Sequence, residues 1–303
     1  MGVPSRAFSR SSLDAQKTHA APAFSGAAWD IVTSRTHLPA VDSTNSAIAR
    51  RFESDPHLPS WTLLTADHQT RGRGRYGRTW VDASNALLAS LFVRVSDEKL
   101  DWVTALAGLA AVRTLDDLYG ESIRSIGVKW PNDVIVDGRK VAGILTEHLG
   151  TCANREGCHA LVIGIGMNFV PTDSAAGPNA GWVPMRNAHG LNGTGIRNST
   201  SGQHAMSDRN STHEEVLAGI ITHLRGLLAG DPTTWRRAYS DRLIGKGQAT
   251  SIVHADGTRT EAVIVDVDDH AGLVVSVGED PGHSLQTITC GDVALPTSHK
   301  EAR

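Results

Sequence analysis

The apolar positions along the chain repeat with two different periods, which predicts a fold that mixes strands and helices. Runs of apolar and β-branched residues over 31–38, 61–66, 86–95 and 161–166 are typical of strands. Residues 102–119 instead place apolar side chains three and four positions apart, which predicts a long helix packed on a sheet. These elements indicate one core that is built from a sheet and its helices.

Turn and capping residues mark the ends of further elements. Asp137-Gly138 separates two apolar runs and predicts a tight hairpin. The polar residues 42–44 come directly before helically spaced apolar residues, so they predict the capped start of a helix. Thr212 and Glu215 form a capping-box pattern ahead of an apolar stripe, which predicts a helix over 213–229.

After residue 239 the pattern changes to short strands that are separated by turn residues. Strands are predicted over 248–254, 260–267, 273–277 and 286–290. Their number and close spacing predict a small β-barrel of roughly 55 residues.

The length of 303 residues corresponds to about two domains. We expect a disordered tail over 1–28, a first domain over 29–242 and the barrel domain over 243–297. Within the first domain, residues 171–210 are rich in Gly, Asn, Ser, Thr and Pro and show no periodicity. This composition predicts a mobile insertion.

Composition and charge exclude several classes of protein. Lys and Arg total 29 against 32 acidic residues, a net charge of −3, so the chain has no surface-wide basic field for nucleic acid or membranes. No apolar run is long enough to span a membrane. Three cysteines are too few for a disulfide framework and indicate a reducing compartment. A metal site at Cys152, Cys158 and His159 is the less favoured alternative.

The most unusual segment is residues 71–78, which holds four arginines and three glycines. Arginines so close together repel one another unless an anion lies between them. Guanidinium groups bind carboxylates and phosphates with two hydrogen bonds, and glycines let the backbone approach a ligand closely. We therefore expect a loop that holds a carboxylate or a phosphate. An arginine- and glycine-rich RNA-binding segment is the alternative.

Four motifs in the expected order resemble those of bacterial biotin protein ligases, also called biotin-[acetyl-CoA-carboxylase] ligases. Residues 69–80 are similar to that family's GRGRxGR(x)W signature. The other three motifs are Asp42-Ser43-Thr44-Asn45, Lys129-Trp130-Pro131-Asn132-Asp133 followed by the run 139–147, and Gly164-Ile165-Gly166-Met167-Asn168. The resemblance covers residues 29–295 except the insertion, and four ordered motifs make it specific.

The resemblance implies an α+β fold with a mixed β-sheet flanked by helices, like biotin/lipoyl ligase catalytic domains, and a small C-terminal SH3-like β-barrel. It also implies a reaction. ATP, with Mg²⁺, activates the biotin carboxylate to biotinyl-5′-adenylate, and biotin then passes to one lysine of a biotin carboxyl carrier protein domain.

The resemblance further implies which residues bind the two substrates. The expected biotin-binding residues are Ser43, Thr44, Asn45, Gln69, Arg73, Gly74, Arg75, Lys140 and Gly143. The expected ATP-binding residues are Arg75, Arg78, Trp80, Asn132 and Asn168. These residue types suit a ureido ring that needs oriented hydrogen bonds and a carboxylate that needs positive charge. Helix capping is the alternative role for the polar residues 43–45.

Lys140 and Arg75 are the expected catalytic residues, because compact or bidentate cations stabilise the charge that develops between a carboxylate and a phosphate. Strict alternation places Lys140 on the opposite face of its strand from Gly143. A bulge, or the reach of a long lysine side chain at the end of the hairpin, would remove this conflict. Asp133 is expected to bind Mg²⁺ through its carboxylate, with a turn-forming role as the alternative.

The implied partner is the carrier domain of a biotin-dependent carboxylase, and the implied location is the cytoplasm. The sequence does not decide the oligomeric state, and a homodimer is one alternative, since many relatives form one. About 28 residues precede the first domain, too few for the helix-turn-helix module of some family members, so we expect no specific DNA binding. The alternatives are a lipoate–protein ligase of the same fold and a non-catalytic biotin- or nucleotide-binding module.

Overall fold

The computed structural model describes residues 27–81, 85–152, 155–169, 180–183, 202–278 and 284–294. The helices are α1 (Ala27–Ile31), α2 (Thr44–Ser54), α3 (Asp97–Leu100), α4 (Val103–Tyr119), α5 (Gly202–Ala229) and α6 (Trp235–Ser240). The strands are β1 (Ser34–Leu38), β2 (Thr62–Ala66), β3 (Leu87–Ser96), β4 (Ile126–Lys129), β5 (Asp133–Val136), β6 (Arg139–Thr151), β7 (Cys158–Met167), β8 (Ala249–Val253), β9 (Arg259–Val267), β10 (Leu273–Val277), β11 (Ser284–Ile288) and β12 (Asp292–Ala294).

Strands β1 to β7 form one mixed sheet in the order β1-β2-β3-β7-β6-β5-β4. Strands β1 and β2 pair in parallel, and the other neighbours pair antiparallel. The Asp137-Gly138 turn joins β5 to β6, with φ angles of 48° and 76°. Both angles lie in the left-handed region, as a two-residue type I′ hairpin turn requires. The predicted α+β class, mixed sheet and hairpin are confirmed.

Each central strand contributes to two apolar layers, because adjacent residues of a strand point to opposite faces. Leu91 and Val93 of β3 belong to the larger core, with α4 and α5. Phe92 lies between them in the sequence and is fully buried with Ile48 in a smaller core beneath α2. The helices therefore cover both faces of the sheet.

Helix α5 is longer than its sequence pattern predicts. It runs over Gly202–Ala229, so Thr212, predicted as a capping residue, lies inside the helix. Among the helix residues whose side chains the structure describes, Thr212 and Val216 are buried. The polar sequence of the first part offers no apolar stripe from which a helix is predicted. Residues 202–210 of the predicted insertion are thus helical. Most of the remaining insertion lies outside the described residues.

Among the described residues, no helix is long and apolar enough to cross a membrane.

The last five strands form an antiparallel sheet in the order β11-β10-β9-β8-β12. The predicted strands are confirmed, but the predicted barrel is not closed: among the described residues, β11 and β12 are the two edges of an open sheet. Its inner face joins the larger core through Ile252, Ile264 and Leu273, which are fully buried.

Two tryptophans attach this C-terminal sheet to the first sheet. Trp102 Nε1 donates a hydrogen bond to the carbonyl of Asp269 at 2.8 Å, and Trp130 Nε1 donates to that of Ala271 at 2.9 Å. The chain also adds to the outer edge of β4, where Val128 N donates to Arg242 O and Ile244 N donates to Val128 O. Trp102 and Trp130 thereby hold the turn between β9 and β10 against the first domain.

Cys152 and Cys158 form a disulfide across the end of the β6–β7 hairpin, with their Cα atoms 5.3 Å apart. The small number of cysteines did not predict this bond. Counting cysteines cannot reveal that two strands bring two of them together. Cys290 is exposed and carries a free thiol.

Gly219 allows α5 to lie directly on α4, since a Cβ at this position would be 2.4 Å from Thr114 Cγ2. We predict that Gly219→Ala lowers the free energy of unfolding by about 1–3 kcal/mol, because the helices must separate. Gly226→Ala is the matched control in the same helix: nothing lies within 4 Å of its added Cβ. That variant should gain up to about 1 kcal/mol from helix propensity. Urea unfolding measures both, and equal effects would contradict the packing argument.

Candidate functional site

A small cavity of about 30 Å³ lies where the start of α2 meets the face of β6 and β7. Seven residues of the predicted site line it: Ser43, Thr44, Asn45, Gln69, Arg73, Trp80 and Gly143. The lining is completed by Leu145, Gly164, Ile165 and Gly166. The fold therefore brings together residues from all four sequence motifs.

Gln69 completes the first turn of α2. Ser43 is the N-cap residue, but its side chain makes no capping hydrogen bond. Instead, Gln69 Oε1 accepts hydrogen bonds from the backbone N of Thr44 at 2.8 Å and from Thr44 Oγ1 at 3.1 Å. The capping role falls to Gln69, and the buried Ser43 lies at the cavity wall.

Asn45 is held from three sides. Its Nδ2 donates to Leu145 O at 3.1 Å and to Glu147 Oε2 at 2.8 Å, and its Oδ1 lies 2.6 Å from Ser90 Oγ. Ser90 also lies 2.8 Å from Thr44 Oγ1. No motif included Ser90, although a serine in a run of buried strand residues is a signal that it has a polar partner.

Two glycines form the floor on which Trp80 lies. A Cβ at Gly166 would be 2.6 Å from Trp80 Cε2, and one at Gly143 would be 3.0 Å from Trp80 Cζ3. Gly143 is an expected biotin-binding residue, and in this structure the indole of Trp80 lies against it. Trp80 Nε1 is buried and has no hydrogen-bond partner among the described residues.

Lys140 lies on the same side of β6 as Gly143, because a bulge interrupts the pairing of β5 with β6. Val134 pairs with Ala142 and Ile135 with Lys140, so one extra residue stands on β6. A Cβ at Gly143 would lie 3.4 Å from Lys140 Nζ. The conflict that strict alternation created is thereby removed.

A buried carboxylate holds Lys140. Asp133 Oδ1 lies 2.6 Å from Lys140 Nζ, and its Oδ2 lies 3.2 Å from Lys129 Nζ. Lys140 Nζ also lies 5.8 Å from the centre of the Trp80 ring. Both oxygens of Asp133 are therefore engaged by lysines. This environment does not fit the Mg²⁺ ligand that we expected at Asp133, and the described residues contain no group of three or more potential metal ligands.

Arg73 reaches the cavity and is neutralised there. Its Nη2 lies 2.7 Å from Glu147 Oε1, and its Nη1 donates to Ser46 Oγ at 3.3 Å. Glu147 thus joins Arg73 and Asn45 at one wall of the cavity. The sequence motif contained Glu147, but we did not predict it as a site residue.

Arg75 and Arg78 do not line the cavity. Arg75 Nη1 lies 2.6 Å from Asp292 Oδ1 and donates to Gly291 O at 3.1 Å, and Arg78 forms an ion pair with the other oxygen of Asp292. The structure thus separates these two arginines from Lys140 and places them on the C-terminal sheet. Gly74 lies in the same loop, where its backbone N donates to Arg78 O at 2.7 Å.

The two predicted asparagines bind backbone. Asn132 Nδ2 donates to Ile144 O at 2.8 Å, which ties the turn before β5 to β6. Asn168 Nδ2 donates to Gly181 O at 3.2 Å, while its buried Oδ1 has no partner among the described residues. Gly181 N in turn donates to Lys140 O at 2.7 Å. Residues 180–183, which we did not predict as part of the site, therefore lie beside both Asn168 and Lys140.

Asp42 precedes the cavity residues and is paired with arginines. Arg50 donates to both of its oxygens at 2.8 Å, and Arg71 lies 3.6 Å away. The hydrogen bonds from Arg50 lower the pKa of Asp42 from 3.8 to about 2. The carboxylate is therefore charged throughout the neutral and mildly acidic range.

The part of the chain that contains the cavity residues is similar in sequence to known proteins. The sequence model described as the Biotin/lipoate A/B protein ligase family matches residues 38–168, the range that contains every residue lining the cavity. The biotin-[acetyl-CoA-carboxylase] ligase of Mycobacterium tuberculosis is 28% identical over 262 residues, which are 83% of this chain and 85% of that protein. A protein of the same name from Paracoccus denitrificans is 33% identical over 161 residues, 52% of this chain and 64% of that one.

The fold is shared with solved structures. The structure of the biotin protein ligase from Aquifex aeolicus in complex with biotin and ATP matches with a TM-score of 0.60 and 19% identity. The match covers 86% of this chain and 98% of that one. At this level of identity the likeness concerns the fold alone.

We predict that Asp42→Asn lowers the free energy of unfolding at pH 7 by about 1 kcal/mol, since the ion pair is partly screened by solvent. Because folding lowers the pKa of Asp42 from 3.8 to about 2, this stabilisation is present above pH 3.8 and is lost as the pH falls toward 2. Urea unfolding between pH 7 and pH 2 measures the difference. Arg50→Gln should give the same profile, and a difference that persists at the acidic end would refute the pairing.

Proposed function

We propose that the chain is an ATP-dependent biotin protein ligase, on the premise that its residues 38–168 match the model of the Biotin/lipoate A/B protein ligase family. It activates biotin and transfers it to a lysine of a biotin carboxyl carrier protein domain. The names of its relatives from M. tuberculosis and P. denitrificans support this activity.

The observation that carries the proposal is the chemistry of the cavity walls. Ser43, Thr44 and Asn45 offer hydroxyl and amide groups on one side, while Leu145 and bare glycine backbone form the other. Arg73 adds a cation. A ureido ring needs oriented hydrogen bonds, an acyl chain needs an apolar path and a carboxylate needs positive charge. These three needs match biotin.

Trp80 is the residue that must move when the ligand enters. The indole lies on Gly143 and Gly166, where the acyl chain would pass. No hydrogen bond of its buried Nε1 to a described residue opposes this movement. We infer that Trp80 leaves the glycine floor and then borders the nucleotide.

The proposed reaction has two steps. A carboxylate oxygen of biotin attacks the α-phosphorus of ATP, the bond to the bridging oxygen breaks, and biotinyl-5′-adenylate and pyrophosphate form. The unprotonated amine of the carrier lysine then attacks the acyl carbon. AMP leaves, the amide forms, and the amine loses a proton to solvent. In this proposal Arg73, Gly74 and Arg75 surround the carboxylate and the α-phosphate.

Lys140 is the proposed electrostatic catalyst of the first step. Its ammonium group lies on the Gly143 side of β6 and is oriented by Asp133. Two anions must meet in line in this step, and a cation between them lowers their repulsion as charge develops. Asp133 is the positioning residue, since it holds the ammonium group without facing the cavity.

Arg75 and Arg78 are proposed to bind the nucleotide after they leave Asp292. A triphosphate offers these guanidinium groups more charge than the single carboxylate they contact here. Their release lets the loop 71–79 fold over the adenylate and keep it from water. Asn132 and Asn168 remain candidates for nucleotide contact. Only the Oδ1 of Asn168 is buried without a described partner.

Mg²⁺ enters this proposal as the counter-ion of ATP. Asp133 has both oxygens occupied by lysines, so we assign no step of the reaction to a metal ion held by that residue. We further propose that the protein partner is the carrier domain of a biotin-dependent carboxylase. The chain acts in the cytoplasm and binds no specific DNA sequence, and its two domains divide between residues 242 and 243. A homodimer is compatible with this proposal.

The test is incubation of the whole chain with ATP, Mg²⁺, a carrier domain and either biotin or lipoate. We expect pyrophosphate release and a gain of one biotinyl group in the mass of the carrier. A gain with lipoate alone would identify a lipoate–protein ligase. Binding of biotin without pyrophosphate release would identify a non-catalytic binding module.

Lys140→Ala should reduce adenylate formation by about 100-fold or more, because it removes the charge that faces the developing anion. Biotin binding by calorimetry should change far less. Lys129→Ala is the matched control, since it removes the other lysine of the same Asp133 and should reduce the rate by less than about threefold. Equal losses in the two variants would contradict a catalytic role of Lys140. They would show that both losses arise because the buried Asp133 carboxylate is left with one cation fewer.

A further inference from the structure

A second cavity lies at the opposite end of the first sheet. Its volume is about 250 Å³, and it lies between the ends of β3 and α5 and the β6–β7 hairpin. Cys158, which lines it, is six residues before the cavity residue Gly164 along β7, a separation of about 20 Å. The second cavity is thus separate from the site described above.

Four cations line this cavity: Arg94, Lys99, Arg155 and Arg225. No Asp or Glu is among its lining residues, and within the described part of the chain none of the four forms an ion pair with a carboxylate. The nearby Asp97 and Glu98 are directed to other groups, His159 and Ser96. Gathering four positive charges around one space is unfavourable unless an anion neutralises them.

Two of the four cations are fixed in place by backbone carbonyls. Arg94 donates to Leu58 O and, at 2.8 Å, to Pro56 O, and Lys99 Nζ donates to Leu228 O at 2.9 Å. These carbonyls orient the side chains but do not neutralise them. Arg155 is carried by the turn that the Cys152–Cys158 disulfide closes, where its backbone N donates to Cys152 O. The arrangement is therefore built into the fold.

Trp61 forms a flat apolar wall of the same cavity. It is buried, and Arg225 lies 5.4 Å from its ring centre. Its φ of 68° lies in the left-handed region, which an aromatic residue rarely adopts. Two backbone hydrogen bonds hold it there: Trp61 N donates to Phe92 O, and Trp61 O accepts from Thr33 N. Such strained residues concentrate at ligand-binding positions.

We propose that this cavity is a second binding site, for a small organic anion. Carboxylate or phosphate oxygens of the ligand bind between Arg94, Lys99, Arg155 and Arg225, and its carbon skeleton lies on the indole of Trp61. The concave floor and the volume fit a small molecule, and the positive lining selects a ligand with more than one negative charge. This site does not depend on the ligase activity proposed above.

Fluorine NMR of the whole chain, labelled with 5-fluorotryptophan, tests this site, because each cavity contains one tryptophan that reports on it. Trp61→Phe and Trp80→Phe assign the two signals among the seven tryptophans. Pyrophosphate and citrate are the probes, and we expect either to shift the Trp61 signal to saturation at millimolar concentration. A stronger effect of pyrophosphate indicates a phosphate ligand, and a stronger effect of citrate indicates a carboxylate ligand.

Substitutions separate this site from non-specific charge effects. Arg225→Gln and Lys99→Gln should each weaken the binding about tenfold. Arg124→Gln removes the same charge from an exposed position outside both cavities and should change it by less than about twofold. A Trp61 signal that does not move with either anion, or that responds equally in the Lys99 and Arg124 variants, would overturn the proposal. Binding that shifts the Trp80 signal alone would also overturn it.

Discussion

The first cavity exists because three positions of the β6–β7 pair lack side chains. Gly143 pairs with Gly166 across the two strands, and Leu145 pairs with Gly164, so bare backbone faces α2 over adjoining rows. Asn45 lies on Gly164 and Trp80 on Gly166 at distances that Cβ atoms would forbid. The other contacts of the site follow from this close approach, since it sets how far Asn45 reaches toward Ser90 and how the loop before Trp80 meets the sheet.

Each cation of the predicted site is paired with a carboxylate of the same chain. Arg73 pairs with Glu147, Lys140 with Asp133, and Arg75 and Arg78 share Asp292. An entering anion therefore replaces an internal ion pair with a new one. Its binding free energy is the free energy gained in the new pair less the free energy lost with the internal pair. This internal pairing also explains how a chain with a net charge of −3 maintains a locally basic loop.

The elements whose pattern is set by burial were predictable from the sequence, and those set by long-range contacts were not. Strand β3 and the Asp137-Gly138 turn follow from local alternation and turn chemistry. The first part of α5 has no apolar stripe, so its helix was missed. Similarly, the four motifs located the cavity walls, but Asp292 lies more than 200 residues after its arginine partners and no spacing rule connects them. The bulge that turns Lys140 toward Gly143 depends on the pairing of β5 with β6.

The pairing of residues 242–244 with the edge of β4 bears on how the two parts of the chain can be separated. The domain boundary predicted between residues 242 and 243 falls within this segment, and cutting there would leave the backbone of Val128 without Ile244 and expose β4 as an open sheet edge. Trp102 and Trp130 would lose the carbonyls that accept their indole hydrogen bonds. The first domain expressed alone would thus present an aggregation-prone edge and two exposed indoles, so the C-terminal sheet acts as a structural cover for the first domain.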